Sequence, residues 1–244
     1  MSISKLSNLL ENAVSNSEND SPYLDISGLD ISGLVISGPR LDEPAPQFTA
    51  RTTLGTRSLS DYLGKWLILF SHPADFTPVC TSEFIAFANA DAEFKDLDCE
   101  LLGMSIDSVY SHIAWLKSIE IGFDTTITFP VIEDVSMAIS NAYGMIHENS
   151  ISTATARSVF FIDPQGILRA ITHYPVSVGR SVKEILRVLT ALQIAESENV
   201  SLPEGWQPGD KAVRNPPSEF TPTTDDHSGP TWYYQEIDLS GKKP

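Results

Sequence analysis

WLILFSHPADFTPVCTSEF, from Trp66 to Phe84, changes character twice, and those changes decide the fold. Trp66-Leu67-Ile68-Leu69-Phe70 is a short continuous apolar run, with the length and composition of a buried central strand. The chain leaves that strand at Ser71, and Pro73 breaks it by fixing φ and removing a donor. Thr77 is a good N-cap residue, and Pro78 stands at the first helical position, where its missing N–H costs nothing. Cys80 therefore falls in the first turn of a helix, facing unpaired backbone N–H groups and the positive end of the helix dipole, both of which favour a thiolate. Thr77 and Cys80 are three residues apart, so their side chains leave nearly the same helix face with Cβ atoms about 5–6 Å apart. One small substrate can touch both.

Working outward, strand-like and helix-like segments alternate from Leu41 to about Ala195. The expected elements are strands at Gln47–Thr52, Trp66–Ser71, Glu100–Ser105, Arg157–Ile162 and Ile167–Thr172. Helices are expected from Pro78 to about Ala90 and at Ser108–Ser118, Ser136–Tyr143 and Ser181–Ala195. Such alternation reads as an α/β sheet covered by helices. Asp163-Pro164-Gln165-Gly166 has the chemistry of a hairpin turn between the last two strands.

The chain divides into three expected regions: an extension over 1–37, an α/β domain over 38–195 and an arm over 196–244. The extension holds an amphipathic stripe of Ile3, Leu6, Leu10 and Val14, then a pentapeptide repeated as LDISG, LDISG and LVISG from Leu24 to Gly38. Three such short repeats cannot build a solenoid, so an adhesive arm or a mobile tail is expected. The arm is rich in Pro, Ser, Thr and Gly, yet it carries Trp206, Phe220 and Trp232-Tyr233-Tyr234. Large aromatics in an irregular segment imply that it packs on something.

Composition narrows the function classes. A chain of 244 residues with 41% hydrophobic residues can bury one sizeable core. A net charge of −16 argues against nucleic acid and anionic membrane surfaces as partners. No run has the length of a membrane span, and the N-terminus lacks both an apolar leader core and an arginine-rich address, which reads as cytoplasmic. Two cysteines, Cys80 and Cys99, are too few for a disulfide framework, and the five histidines and two cysteines show no metal-ligand spacing. Neither a metal nor another cofactor is expected.

Pro73, Thr77 and Cys80 reproduce the P-x-x-x-T-x-x-C signature of peroxiredoxins, and LFSHPADFTPVCTSEF resembles the one-cysteine branch of that family. The resemblance continues in order through LLGMSIDS, HIAWLK, ITFPVIED, ARSVFFIDPQGILRA and YPVSVGRSVKEILRVLTALQ, spanning roughly Leu41 to Asp226. It implies a thioredoxin-like fold, with a mixed central sheet covered by helices, and a C-terminal arm that wraps over the partner of a homodimer; whether dimers assemble into a ring is left open. The implied activity is a thiol peroxidase for hydrogen peroxide and organic hydroperoxides. A thiolate attacks one oxygen of the O–O bond, the other leaves as water or alcohol, and the cysteine becomes a sulfenic acid.

The same resemblance implies the roles of individual residues. Arg157 takes the place of the catalytic arginine, and an always-charged fork there can donate two hydrogen bonds at once. Glu83 resembles the acid that orients this arginine, and Pro73 would shield the sulfur from water. His72 matches the branch's histidine near the cysteine, although a packed strand-end histidine is an equal reading. Arg180 resembles a second arginine of the branch, to be weighed against a solvated charge before the last helix. Cys99 is read as structural. With no cysteine after Cys99, the sulfenic acid must be reduced by an external thiol or another small reductant. The competing reading is a redox sensor or a holdase-type assembly that uses the same fold without steady turnover. A thioredoxin-type oxidoreductase fits poorly, because Glu83 stands where a C-x-x-C motif needs its second cysteine.

Overall fold

The computed structural model describes residues 38–146, 152–216 and 233–241. The extension over 1–37, Phe220 and Trp232 lie outside the described residues. The first strands are β1 (Thr49–Thr52), β2 (Gly55–Ser58), β3 (Trp66–Ser71), β4 (Cys99–Ser105) and β5 (Val131–Glu133). They are followed by β6 (Arg157–Ile162) and β7 (Leu168–Tyr174), and the seven form one mixed sheet in the order β2-β1-β5-β4-β3-β6-β7. At its centre β3 runs parallel to β4 and antiparallel to β6.

The Trp66–Ser71 run forms the expected strand because both of its faces are covered. Trp66, Ile68 and Phe70 point to one side, where they meet Phe84 and Phe87 of α1 (Pro78–Asn89), Trp115 of α3 (Val109–Phe123) and Leu189 of α5 (Val182–Ser197). Leu67 and Leu69 point to the other, among Leu59, Leu102, Tyr143 and Phe160. Burying each of these side chains contributes about 1.5–3 kcal/mol. Phe70 stacks on Phe87 with centroids 4.1 Å apart and meets Phe84 edge-on, and Gly103 leaves room for them: a Cβ there would lie 3.3 Å from both Phe70 and Phe84.

Differences from the sequence expectations have local causes. β1 begins at Thr49, and its partner β2 was not expected because GTRS is a polar, half-exposed edge strand with no period-two apolar signal. The short α2 (Asp91–Asp96), which follows α1 after the single residue Ala90, was not expected. α3 runs on to Phe123, where Asp124 in the left-handed conformation stops it, and Ser108 caps its start by accepting from the Ser111 N–H. β5 is three residues long, and α4 (Ala138–Ala142) is shorter than expected. The Asp163–Gly166 hairpin forms as read: the Asp163 carboxylate accepts from the Gln165 and Ile167 N–H groups, and Gly166 supplies φ 80°.

The described part of the C-terminal arm is less irregular than its composition suggested. β8 (Val200–Ser201), β9 (Ala212–Arg214) and β10 (Glu236–Ile237) make a small antiparallel sheet. Trp206, Ala212 and Leu239 are buried against Ile194 at the end of α5, so these side chains pack on their own chain.

Candidate active site

Cys80 is the third residue of α1, and the first turn leaves the Val79 and Cys80 N–H groups without intrahelical partners. Thr77 occupies the N-cap with extended φ and ψ, as expected. Its hydroxyl does not cap the helix, however; it donates 2.8 Å to the Ala74 carbonyl, which leaves the oxygen's lone pairs facing outward from that bond. Phe76, just before it, adopts φ 55°, a left-handed conformation unusual for a bulky residue, and is 60% exposed. Pro73 is buried.

Four of the residues singled out in the sequence converge in one buried cluster. Cys80 is fully buried, and Arg157, at the head of β6, donates from Nη1 to both Cys80 Sγ (3.2 Å) and Glu83 Oε2 (2.8 Å). Its Nε and Nη2 are both held by the Val176 carbonyl, at 2.9 and 2.8 Å, so the fork cannot swing. Arg180 is not a solvated charge. It is buried, grips Glu83 from Nε, Nη2 and its own backbone N–H, and spends Nη1 on the Ser71 and Ser158 carbonyls. At Gly179 the loop carrying these groups approaches the helix so closely that a Cβ would sit 3.2 Å from Val79 Cγ1.

Burial alone would raise the Glu83 carboxyl, but the guanidinium of Arg180, its backbone N–H and the Arg157 charge hold it below the ordinary glutamate range. Asp75 behaves likewise: hydrogen bonds from His112 and His72 overcome its burial and hold it well below the usual carboxylate range. Both folded values are depressed, so the native state binds fewer protons than the unfolded chain between the two sets of values. Stability from these groups is full above the unfolded carboxylate values near 4 and is lost as pH falls toward the folded ones. Acid unfolding followed by circular dichroism is expected to flatten in Glu83→Gln and in Asp75→Asn below about pH 4.

His72 stands apart from the cysteine cluster in a second buried polar group with Asp75 and His112, whose donor atoms lie within 4.8 Å of one another. This corrects the absence of ligand spacing read from the chain, because residues 72 and 112 meet only through the fold. The set has the chemistry of a metal site, but both Asp75 oxygens already accept from imidazole nitrogens at 2.9–3.0 Å, and the remaining His112 nitrogen faces the Ile132 carbonyl at 3.0 Å. Hydrogen bonds fill the space a cation would use. Asp75, His112 and the Val176 carbonyl escaped sequence reading; Asp75 and His112 lay inside quoted motifs without a spacing signal of their own.

Cys99 is at the opposite end of the sheet. It pairs with Trp66 at the start of β3, whereas Cys80 follows the strand's far end, about 17 Å away at the usual rise per residue. Burial pushes its thiol well above the ordinary cysteine range. A bridge between the two would need large movement of the backbone.

A cysteine at a helix start, on a thioredoxin-like sheet and under a buried guanidinium, defines a thiol-based redox enzyme. Residues 41–171 match the AhpC/TSA family, and residues 191–221 match the C-terminal domain of 1-Cys peroxiredoxin. A peroxiredoxin of Methanosarcina mazei is 49% identical over 189 residues, covering 75% of this chain and 86% of that one; one of Aquifex aeolicus is 50% identical over 171 residues, covering 70% and 77%. Among solved structures, yeast mitochondrial 1-Cys peroxiredoxin superposes with a TM-score of 0.71 at 38% identity, covering 82% of this chain and 98% of that one. Peroxiredoxin 6 of Arenicola marina gives 0.75 at 30% identity, covering 84% and 100%. The chain belongs to the AhpC/TSA family of peroxiredoxins and is a thiol peroxidase. Among the described residues no helix is long and apolar enough to cross a membrane.

The geometry makes Arg157 hard to replace. A lysine keeps the charge but has a single nitrogen, which cannot serve Cys80, Glu83 and the Val176 carbonyl together. In Arg157→Lys the rate constant for Cys80 oxidation by hydrogen peroxide, followed by stopped-flow fluorescence, is expected to fall by about 10²–10³.

Proposed function

We propose that the chain reduces hydrogen peroxide and organic hydroperoxides by a one-cysteine cycle in which Cys80 is the only sulfur oxidised. The observation that carries this reading is the Arg157 Nη1 group shared between Cys80 Sγ and Glu83. The Cys80 thiolate attacks the nearer peroxide oxygen; the O–O bond breaks, the farther oxygen leaves and is protonated to water or alcohol, and Cys80 becomes a sulfenic acid. Arg157 and the Cys80 N–H stabilise the charge passing along the O–O axis, and the Thr77 oxygen, whose own proton goes to the Ala74 carbonyl, accepts the O–H of the hydroperoxide. Glu83 and Arg180 hold Arg157 in place, Pro73 limits access of water to the sulfur, and His72 supports the site from the adjoining loop.

Cys99, buried and a strand's length away, takes no part. The sulfenic acid is returned to the thiol by an external thiol, in keeping with the yeast relative, whose thiol is resolved via glutathione/thioredoxin systems. The working unit is a homodimer, a reading supported by the match to the family's C-terminal domain and by the exposed Phe76, Ile121 and Phe123.

The test is mass spectrometry after one equivalent of hydrogen peroxide and a sulfenic-acid trap, on the wild type and Cys99→Ser. One trapped sulfenate at Cys80 in both proteins, and sustained turnover with a small thiol, is the expected result. A Cys80–Cys99 disulfide would overturn the one-cysteine cycle, and trapping no faster than that of a free thiol would overturn the assignment of Cys80.

A further inference from the structure

The turn Pro175-Val176-Ser177-Val178, between β7 and Gly179, touches the active site without helping to bury the core. Its residues and Gly179 are exposed. The Val178 N–H donates 3.1 Å to the Pro175 carbonyl, which closes a β-turn. That bond leaves the carbonyl of the central peptide, Val176, unspent by the turn itself. It accepts Arg157 Nε at 2.9 Å and Arg157 Nη2 at 2.8 Å. Just beyond Gly179, the Arg180 N–H donates 2.7 Å to Glu83 Oε1. The segment thus holds the guanidinium beside Cys80 at one end and the acid facing that guanidinium at the other.

Gly179 lies between these two contacts. Backbone shape does not explain a glycine there, because its φ is outside the left-handed region that favours glycine. Space does. A Cβ would lie 3.2 Å from Val79 Cγ1 and 4.0 Å from Glu83 Oε1. Val79 is β-branched and stands in the first turn of α1, where one χ1 rotamer is strongly preferred, so its methyl yields poorly. Crowding from a new methyl therefore passes into the turn, which no buried side chain anchors. Displacing the turn draws the Val176 carbonyl from Arg157, and the planar fork moves as one body, Nη1 with it. Nη1 is the nitrogen that serves Cys80 Sγ at 3.2 Å.

We propose that Gly179 and Val176 are positioning residues for the peroxidase reaction: the glycine lets the turn close on α1, and the closed turn, through the Val176 carbonyl, fixes the Arg157 fork beside Cys80 Sγ. The proposal rests on Cys80 being the nucleophile and Arg157 its partner. A donor aimed at charge that moves during the reaction loses its effect when its aim strays, even where the fold survives.

The experiment compares full-length wild type, Gly179→Ala, Val79→Ala and the double variant. Cys80 oxidation by hydrogen peroxide is followed by stopped-flow fluorescence, and ¹⁵N-arginine spectra report the Arg157 Nε–H, assigned by its absence from Arg157→Lys. In Gly179→Ala the oxidation rate constant is expected to fall about tenfold, and the Arg157 Nε–H to exchange with solvent faster than in the wild type. Val79→Ala removes the methyl that the new Cβ meets, so the double variant is expected to react at the rate of Val79→Ala alone. A wild-type rate in Gly179→Ala, an Arg157 Nε–H equally protected there, or a double variant as slow as Gly179→Ala would each overturn the positioning role. Slow oxidation of wild-type Cys80 would instead sink the peroxidase reading, so the two failures separate. Should Gly179→Ala not fold, Ser177→Gly decides: it alters no packed side chain and frees the central peptide of the turn to flip, since Ser177 has no positive φ and glycine permits one. The same two changes are expected in smaller measure, and an unchanged rate with unchanged protection would overturn the role.

Discussion

Cys80→Ser is expected to fold and to lose peroxide turnover completely, down to the background reaction of the added thiol with peroxide. Serine is nearly isosteric with cysteine, and position 80 is fully buried in the first turn of α1, so the packing of Phe84 and Phe87 behind it is undisturbed. The chemistry is not transferable, because peroxide oxygen passes to a polarisable thiolate and not to a serine hydroxyl, which stays protonated at neutral pH. Turnover with a small thiol, together with the near-ultraviolet dichroism of the aromatic core, checks both halves. Retained turnover would place the reactive sulfur elsewhere.

The second large effect is on stability. Among the described residues Glu83 is the one carboxylate paired with both Arg157 and Arg180, and all three side chains are at least 97% buried. In Glu83→Gln the two guanidiniums keep their carbonyl partners, Val176 for one and Ser71 and Ser158 for the other, but lose their shared anion. Removing one partner of a buried pair costs about 3–5 kcal/mol, a large share of the 5–15 kcal/mol that holds a typical domain together. Urea denaturation should show the midpoint falling at an unchanged slope. A double-mutant cycle with Arg180→Met separates the pair's coupling from the general loss, and a midpoint within error of wild type would show that the pair contributes nothing.

Local signals carried much of this architecture. The Trp66–Ser71 strand, the Thr77-Pro78 helix start and the Asp163–Gly166 hairpin are each written in adjacent residues, because a continuous apolar run, a capping residue with proline and an Asx-type turn act over a few positions. Cys80, Glu83 and Arg157 were legible as site residues, the first from its helix position and the others from the resemblance to peroxiredoxins. The pairing of Arg180 with Glu83 could not be read locally, because its alternative, a solvated charge before a helix, has the same sequence. Asp75 and His112 were invisible for a related reason: one sits in a loop and the other on α3, and only the parallel pairing of β3 with β4, and of β4 with β5, brings them together. The β2 edge strand failed in the opposite way, since its partners are backbone groups and its side chains are polar.

The shared anion also sets how the site responds to its own product. Two guanidinium cations face one carboxylate, and in the proposed cycle the attacking thiolate of Cys80 supplies the second negative charge until it is oxidised. Sulfenic acid is neutral. Each turnover therefore leaves the enclosed cluster with one surplus positive charge until a reductant arrives, and a confined cation without its counter-ion favours any rearrangement that admits water or an anionic thiolate. The oxidised state is in this sense self-advertising: the same arrangement that activates the sulfur makes its spent form attract the reagent that restores it.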